Sequence, residues 1–328
     1  MAIPAVELID VHTALGGTWV LRGVNFGAPA GRITALLGPS GVGKTTCIRH
    51  ITGLLVPDRG DVIVGGRSRA NMRKDEHTAL ARRFGVLLQG SGMYGSALWG
   101  SMTILENLMF QLRSLTDLPD DDLRAHAFER LREVGLAEHA DMLPSNLSAG
   151  MCTRAALARA LVSDPEFAVL DSFDEGVDPV RLGHLCELIR WHHDKLGGTY
   201  LIATHDMEVT RRLADHVVVL WDGQVIEEGP TEQVFSSGLS EVRQFVTGAT
   251  EGPLTLHSQR PAIQEPRPSP PGEAGMHIPI PLATAITLVV VTGSVLKLGS
   301  GKPIEVVILA HSWVGAAVLL AARHARSR

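Results

Sequence analysis

Residues 36–46 read Leu36-Leu37-Gly38-Pro39-Ser40-Gly41-Val42-Gly43-Lys44-Thr45-Thr46, and this stretch decides the fold. Gly38, Gly43, Lys44 and Thr45 complete the pattern G-x-x-x-x-G-K-[ST], a loop whose backbone N–H groups wrap phosphate oxygens. The apolar run Ile33–Leu37 before it reads as a buried strand, and the segment Thr45–Thr52 after it is compatible with a helix. That context places an anion at a helix N-terminus, where the dipole already favours negative charge. In such a loop the Lys44 ammonium neutralises β- and γ-phosphate charge, and the Thr45 hydroxyl ligates Mg²⁺. A chance glycine-rich turn would lack the flanking strand and helix. The pattern implies a nucleotide-binding protein.

Working outward, residues 5–30 read as short strands, Ala5–Val11, Thr18–Leu21 and Val24–Phe26, broken by Gly16-Gly17 and Gly27. Asp61–Val64 is a further short strand, and Phe84–Leu88 is an apolar run ending in Gln89. From Asp120 to Val134 the residues Leu123, Ala127, Leu131 and Val134 fall at helical spacing behind an Asp-rich N-terminal cap. Met151–Val162 is a second helical pattern. Phe167–Leu170 and Tyr200–Ala203 are buried-strand candidates on either side of a helix from Pro179 to Leu196. His216–Trp221 and Gln224–Glu227 form a hairpin across Asp222-Gly223. Strands alternating with helices behind a phosphate loop predict an α/β fold with a mostly parallel sheet and an antiparallel β-subdomain at its start.

Composition narrows the class. The chain has 328 residues, 45% hydrophobic and 20% charged, enough for a substantial core. A net charge of −5 offers no global basic field to nucleic acid. Cys47, Cys152 and Cys186 are widely spaced with no C-x-x-C pair, which argues against a zinc site or disulfide framework and fits a reducing compartment. The first residues lack a basic segment followed by an apolar core, so no secretory signal is expected.

At residues 147–151 stands Leu147-Ser148-Ala149-Gly150-Met151, about two dozen positions before Asp171, which ends the apolar run Ala168-Val169-Leu170-Asp171. This resembles the L-S-G-G-Q signature and Walker B strand of the ATP-binding cassette (ABC) ATPases. The chain is similar to that family from about residue 5 to 248. Gln89 matches the Q-loop, Gly176-Val177-Asp178-Pro179 the D-loop, and His205 in Ala203-Thr204-His205-Asp206 the switch histidine. A narrower resemblance, to the ATPases of Mce/Mla-type lipid transporters of actinobacteria, rests on three features. They are Met151 in the signature followed by Arg154 to Leu161, the Asp178-Pro179-Val180-Arg181 stretch, and the ending Glu241 to Phe245.

The resemblance implies a P-loop cassette with a helical subdomain at about residues 90–165 carrying the signature. It also implies an ATP sandwich, in which two cassettes face head to tail and close on ATP and Mg²⁺. Gly38 to Thr46 would hold the phosphates, and Ser148 and Gly150 of the other cassette would cap the γ-phosphate, with Asp178 beside them. Thr45, Asp171 and Gln89 would serve the metal, with Gln89 and His205 at the attacking water and γ-phosphate. Partners would be a second cassette, identical or not, and integral-membrane permease subunits, with no nucleic acid. The place would be the cytoplasmic face of the cell membrane.

The chain departs from the family at the catalytic carboxylate. The family has Glu directly after the Walker B Asp; here Asp171 is followed by Ser172, and the D-loop spacing fixes Ser172 in that position. A hydroxyl orients water but does not take its proton near neutral pH. Slow hydrolysis with retained ATP binding is expected, unless Asp174 or Glu175 reaches in through a rearranged loop. Ala149 replaces a signature glycine, at a cost of about 1 kcal/mol if the position needs a positive φ and none otherwise. The adenine-stacking aromatic of the family falls near Thr13, leaving His12 or Trp19 as substitutes. In the loop after Gln89, Tyr94, Leu98 and Trp99 read either as anchors for a permease or as packing on their own domain.

Composition shifts after Gly248. Residues 249–277 read as a Pro-rich linker, and eight prolines fall between 253 and 281. Two apolar stretches, 278–296 and 306–322, are each close to the length of a membrane span. Arg323, Arg326 and Arg328 suit a cytoplasmic end, so residues 278–322 read as a membrane hairpin that anchors the cassette. Lys297, Lys302, Glu305 and His311 favour the other reading, a pair of apolar helices packed on protein. Two functions compete: a transporter motor, and a regulatory cassette that binds ATP and dimerises without hydrolysis of its own.

Overall fold

The computed structural model describes residues 4–88 and 98–253. Gln89, Tyr94, most of the Pro-rich linker and the apolar stretches at 278–322 lie outside the described residues.

The chain opens with β1 (Pro4–Leu15) and β2 (Thr18–Pro29), continues into β3 (Ile33–Leu37), and enters α1 (Lys44–Thr52) through the glycine-rich loop. Next come β4 (Arg59–Val64), β5 (Arg67–Ser68), α2 (Lys74–Ala81) and β6 (Phe84–Leu87). A helical section follows: α3 (Ile104–Leu115), α4 (Asp120–Glu133) and α5 (Ala149–Leu161). β7 (Phe167–Asp171), α6 (Pro179–Leu196), β8 (Thr199–Ala203) and α7 (Met207–Leu213) return to the sheet. The described part closes with β9 (His216–Trp221), β10 (Gln224–Pro230), α8 (Thr231–Phe235) and α9 (Ser240–Thr247).

β2-β1-β4-β5 form an antiparallel sheet, and β10-β9-β3-β8-β7-β6 form the central sheet, parallel except for the β9–β10 hairpin. Every residue of β3, β7 and β8 is buried, which is why these strands appear in the sequence as unbroken apolar runs. Alternate side chains go to opposite faces. Leu36, Val169, Leu201 and Val218 pack with α1 and the antiparallel sheet, while Ala168, Leu170, Tyr200 and Ile202 pack with the helical section. Leu37, Val217 and Val219 meet Val234 of α8 and Val242 of α9.

Two readings need correction. Gly27 does not end a strand: β2 runs through it to Pro29, and the irregularity falls instead at Gly23, whose φ of 69° makes a bulge opposite Asp10 and His12. The aspartates before α4 do not cap it. Pro119 is the N-cap, and Asp120, Asp121 and Asp122 occupy the first turn, where their charge meets the positive end of the helix dipole.

Two polar devices hold the helical section. Thr103 and Glu106 form a capping box at the start of α3, Thr103 N–H donating to Glu106 Oε2 (2.8 Å) and Glu106 N–H to Thr103 Oγ1 (3.1 Å). Asn107 is fully buried and uses its whole amide. Its Nδ2 donates to the carbonyls of Trp99, Met102 and Thr103, and its Oδ1 accepts from Trp99 N–H at 2.7 Å. Asn107→Ala strands those groups and lowers stability by about 2–3 kcal/mol, measurable as a drop in thermal midpoint. An unchanged midpoint would show the amide to be replaceable by water.

The second device joins the helical section to the sheet. Arg130 of α4 donates to Asp164 Oδ1 at 2.7 Å, and the same oxygen lies 3.2 Å from His192 Nε2 on α6. His192 Nδ1 is 2.6 Å from the Tyr200 hydroxyl on β8. Arg130, His192 and Tyr200 are all buried. Leu98 packs in the core of its own domain, and Trp99 stacks edge-on to Phe110.

Candidate functional site

The loop between β3 and α1 is shaped by two glycines that cannot be replaced. Gly38 has φ 147°, and a Cβ there would run into the Leu220 carbonyl oxygen; Gly43 has φ 115° and lies against Leu21. Gly43 is the N-cap of α1 and offers no side chain, so the first N–H groups of the helix point into the loop without a protein cap. Ser40 and Gly41 are exposed, Pro39 and Thr45 half-buried, and Val42 and Thr46 buried. Lys44 folds back over the loop, donating from Nζ to the carbonyls of Gly38 (2.7 Å) and Pro39 (3.0 Å). Burial pulls its pKa below the ordinary lysine value, against the opposing charges of Asp171 and Asp174. A cation, two nearby carboxylates and a bare helix N-terminus thus share one end of the sheet. Cys47, one turn into α1, has its thiol pushed up to about 12 by burial and stays protonated.

Asp171 ends β7 and is 1% exposed. Ser172 follows with φ 56°, a left-handed conformation, and its N–H donates to Ala203 O at 2.9 Å. This sharp turn brings the residues after β7 against the end of β8. There Thr204, fully buried, donates from Oγ1 to Asp174 Oδ2 at 2.6 Å and accepts from Asp206 N–H at 2.9 Å. His205 sits between these two bonds with its side chain exposed. Asp206 caps α7, accepting from the N–H groups of Glu208 and Val209. The sequence singled out His205 but not Thr204, whose partner lies thirty positions away.

The signature residues gather elsewhere. Ser148 is the N-cap of α5, its Oγ accepting from Met151 N–H at 3.3 Å. Ala149 is the first helical residue and carries no positive φ, so its replacement of glycine costs nothing in the backbone. Gly150 lies against Gly176 O of the D-loop, 3.3 Å from where its Cβ would be. Asp178 caps α6, accepting from Arg181 N–H (3.0 Å) and Arg181 Nη1 (2.8 Å). The Arg181 N–H bond, together with its guanidinium, holds the Asp178 carboxyl below the ordinary value.

Of the adenine-stacking candidates, Thr13 is buried, with Oγ1 2.7 Å from His50 Nε2, and faces the core. His12 and Trp19 meet edge to face at 5.9 Å on the other side of the sheet. Hard oxygen donors at Thr45 and Asp171 beside Lys44 suit Mg²⁺ bound with phosphate. Among the described residues no three His, Cys, Asp or Glu side chains form a metal cage.

A glycine-rich phosphate loop at a strand-to-helix turn, with a buried aspartate two strands away and a capped signature helix, defines a P-loop nucleotide-binding cassette. The ABC transporter family profile matches residues 21–173. The chain is 33% identical over 249 residues to the intermembrane phospholipid transport system ATP-binding protein MlaF of Escherichia coli K12, covering 76% of this chain and 91% of that protein. It is 34% identical over 256 residues to the probable ribonucleotide transport ATP-binding protein mkl of Mycobacterium leprae, covering 78% of this chain and 72% of that protein. Among solved structures, the dimeric ATP-binding cassette MJ0796 bound to ADP and Pi superposes with a TM-score of 0.64 and 27% identity, over 69% of this chain and 98% of that one. The chain belongs to the ABC transporter family, as an ATP-binding subunit.

Proposed function

We propose that this subunit binds Mg·ATP between its phosphate loop and the signature of a second cassette, and couples closure on ATP to transport of a phospholipid or other hydrophobic substrate. Lys44, the α1 N-terminus and Gly38 to Thr46 bind and orient the phosphates. Thr45 and Asp171 would hold Mg²⁺, which would supply charge neutralisation, and Gln89 would serve the metal and the attacking water. Ser148 and Gly150, with Asp178 alongside, present the signature helix to the γ-phosphate of the facing protomer. The observation that carries the binding half is the Lys44 ammonium poised over the loop beside Asp171. The substrate class rests on the likeness to MlaF.

Hydrolysis is slow, because the residue after Asp171 is Ser172 and not a carboxylate. The same observation supports a second reading, a regulatory cassette that dimerises on ATP while a partner supplies turnover. In either case the subunit works with permease partners at the cytoplasmic face of the membrane. The cassette ends near Gly248, a linker follows to 277, and residues 278–328 form an apolar segment. Among the described residues no helix is long and apolar enough to cross a membrane. Mg·ATP, and not Mg·ADP, converts the full chain from monomer to dimer in light scattering. A monomer at saturating ATP, in the absence of any partner, would argue for a heterologous second cassette.

A further inference from the structure

Position 172 has lost its carboxylate, but the site has not. Asp174 is 8% exposed, with Oδ2 clamped by the Thr204 hydroxyl at 2.6 Å, while Oδ1 is buried and has no hydrogen-bond partner among the described residues. A buried acceptor without a donor costs about 1–3 kcal/mol, and a catalytic role is one of the reasons a fold keeps such a group. Asp174 also lines a cavity of about 460 Å³ together with Glu175, Cys186, His205, Asp206 and Arg212. Its charge reaches Lys44, the residue that reads the phosphates. Glu175, the other carboxylate of the loop, is exposed at the cavity, while Asp174 is buried.

We infer that Asp174 is the general base of this cassette, and that the residual ATP hydrolysis proposed above runs through it. The hydroxyl of Thr204 fixes one carboxylate oxygen next to the switch histidine and leaves the other to accept a proton. The water oxygen bonds to the γ-phosphorus as the bond from phosphorus to the ADP oxygen breaks. The water proton passes to Asp174 Oδ1, and from there to solvent as ADP and phosphate leave. The inference rests on the ATP-binding reading of the same site.

The experiment compares steady-state turnover and nucleotide affinity for the wild type, D174N, E175Q and S172E, and for S172E combined with D174N. Asn keeps the Thr204 bond and the volume but removes the basic oxygen. Expected are a loss of about 10²-fold in kcat for D174N with ATP affinity retained, and wild-type turnover for E175Q. In the S172E background, where the new glutamate takes the proton, D174N costs little; a merely structural role would lower both backgrounds alike. Equal turnover in D174N and wild type overturns the inference, and so does a wild type that binds ATP without any turnover. Failure of the wild type to bind ATP would instead sink the nucleotide-binding reading.

Discussion

Replacing Ser172 by glutamate raises steady-state ATP turnover by up to about 10²-fold, the margin between a well-placed general base, worth about 10²–10⁴-fold, and the roughly 10²-fold already drawn from Asp174, and leaves ATP affinity close to wild type. The turn tolerates the change. Ser172 already sits at φ 56°, so the backbone strain of roughly 1–2 kcal/mol for a left-handed residue is present in the native chain, and glutamate adds little to it. The Ser172 N–H bond to Ala203 O involves no side chain and survives. Phosphate release under saturating Mg·ATP is the measurement. Unchanged turnover would mean that residue 172 does not face the attacking water, and the slow-motor reading would lose its cause.

Lys44→Ala lowers ATP affinity by about 10²-fold. This corresponds to the 2–5 kcal/mol typical of removing one member of a buried, hydrogen-bonded charge pair. Lys44 has two roles that alanine abolishes together: it ties the carbonyls of Gly38 and Pro39 from inside the loop, and it offers charge to the phosphates. Burial holds its pKa below the ordinary value, and an incoming polyanion favours the charged form, so binding strengthens the ammonium that receives it. Titration with a fluorescent ATP analogue reads the loss, with circular dichroism as the check on folding. Affinity equal to wild type would place the nucleotide elsewhere.

Much of this was legible in the chain because parallel strands covered on both faces leave unbroken apolar runs. Ile33–Leu37, Phe167–Leu170 and Tyr200–Ala203 could be read directly, and the helix from Pro179 to Leu196 with them. The antiparallel sheet was harder. Whether Gly23 or Gly27 interrupts β2 depends on what β1 places opposite, and neighbouring letters do not carry that. Thr13 fell near the aromatic position by counting, yet its side chain turns inward to His50, thirty-seven residues away. The worth of Ala149 hung on one dihedral angle. The proposed preference for Asp174 over Glu175 rests on a hydroxyl at Thr204, and long-range pairing of this kind has no local signal.

The chain of contacts from Arg130 through Asp164 and His192 to Tyr200 bears on how force crosses the molecule. Beside the apolar packing of the helical section on Ala168, Leu170 and Ile202, this link runs through charges and a hydroxyl whose geometry is directional. Swinging the helical section against the sheet therefore means pulling Arg130 off Asp164 as well as sliding that apolar surface. Such a joint behaves as a latch with a release threshold, so motion at that boundary would come in steps and not as a gradual drift.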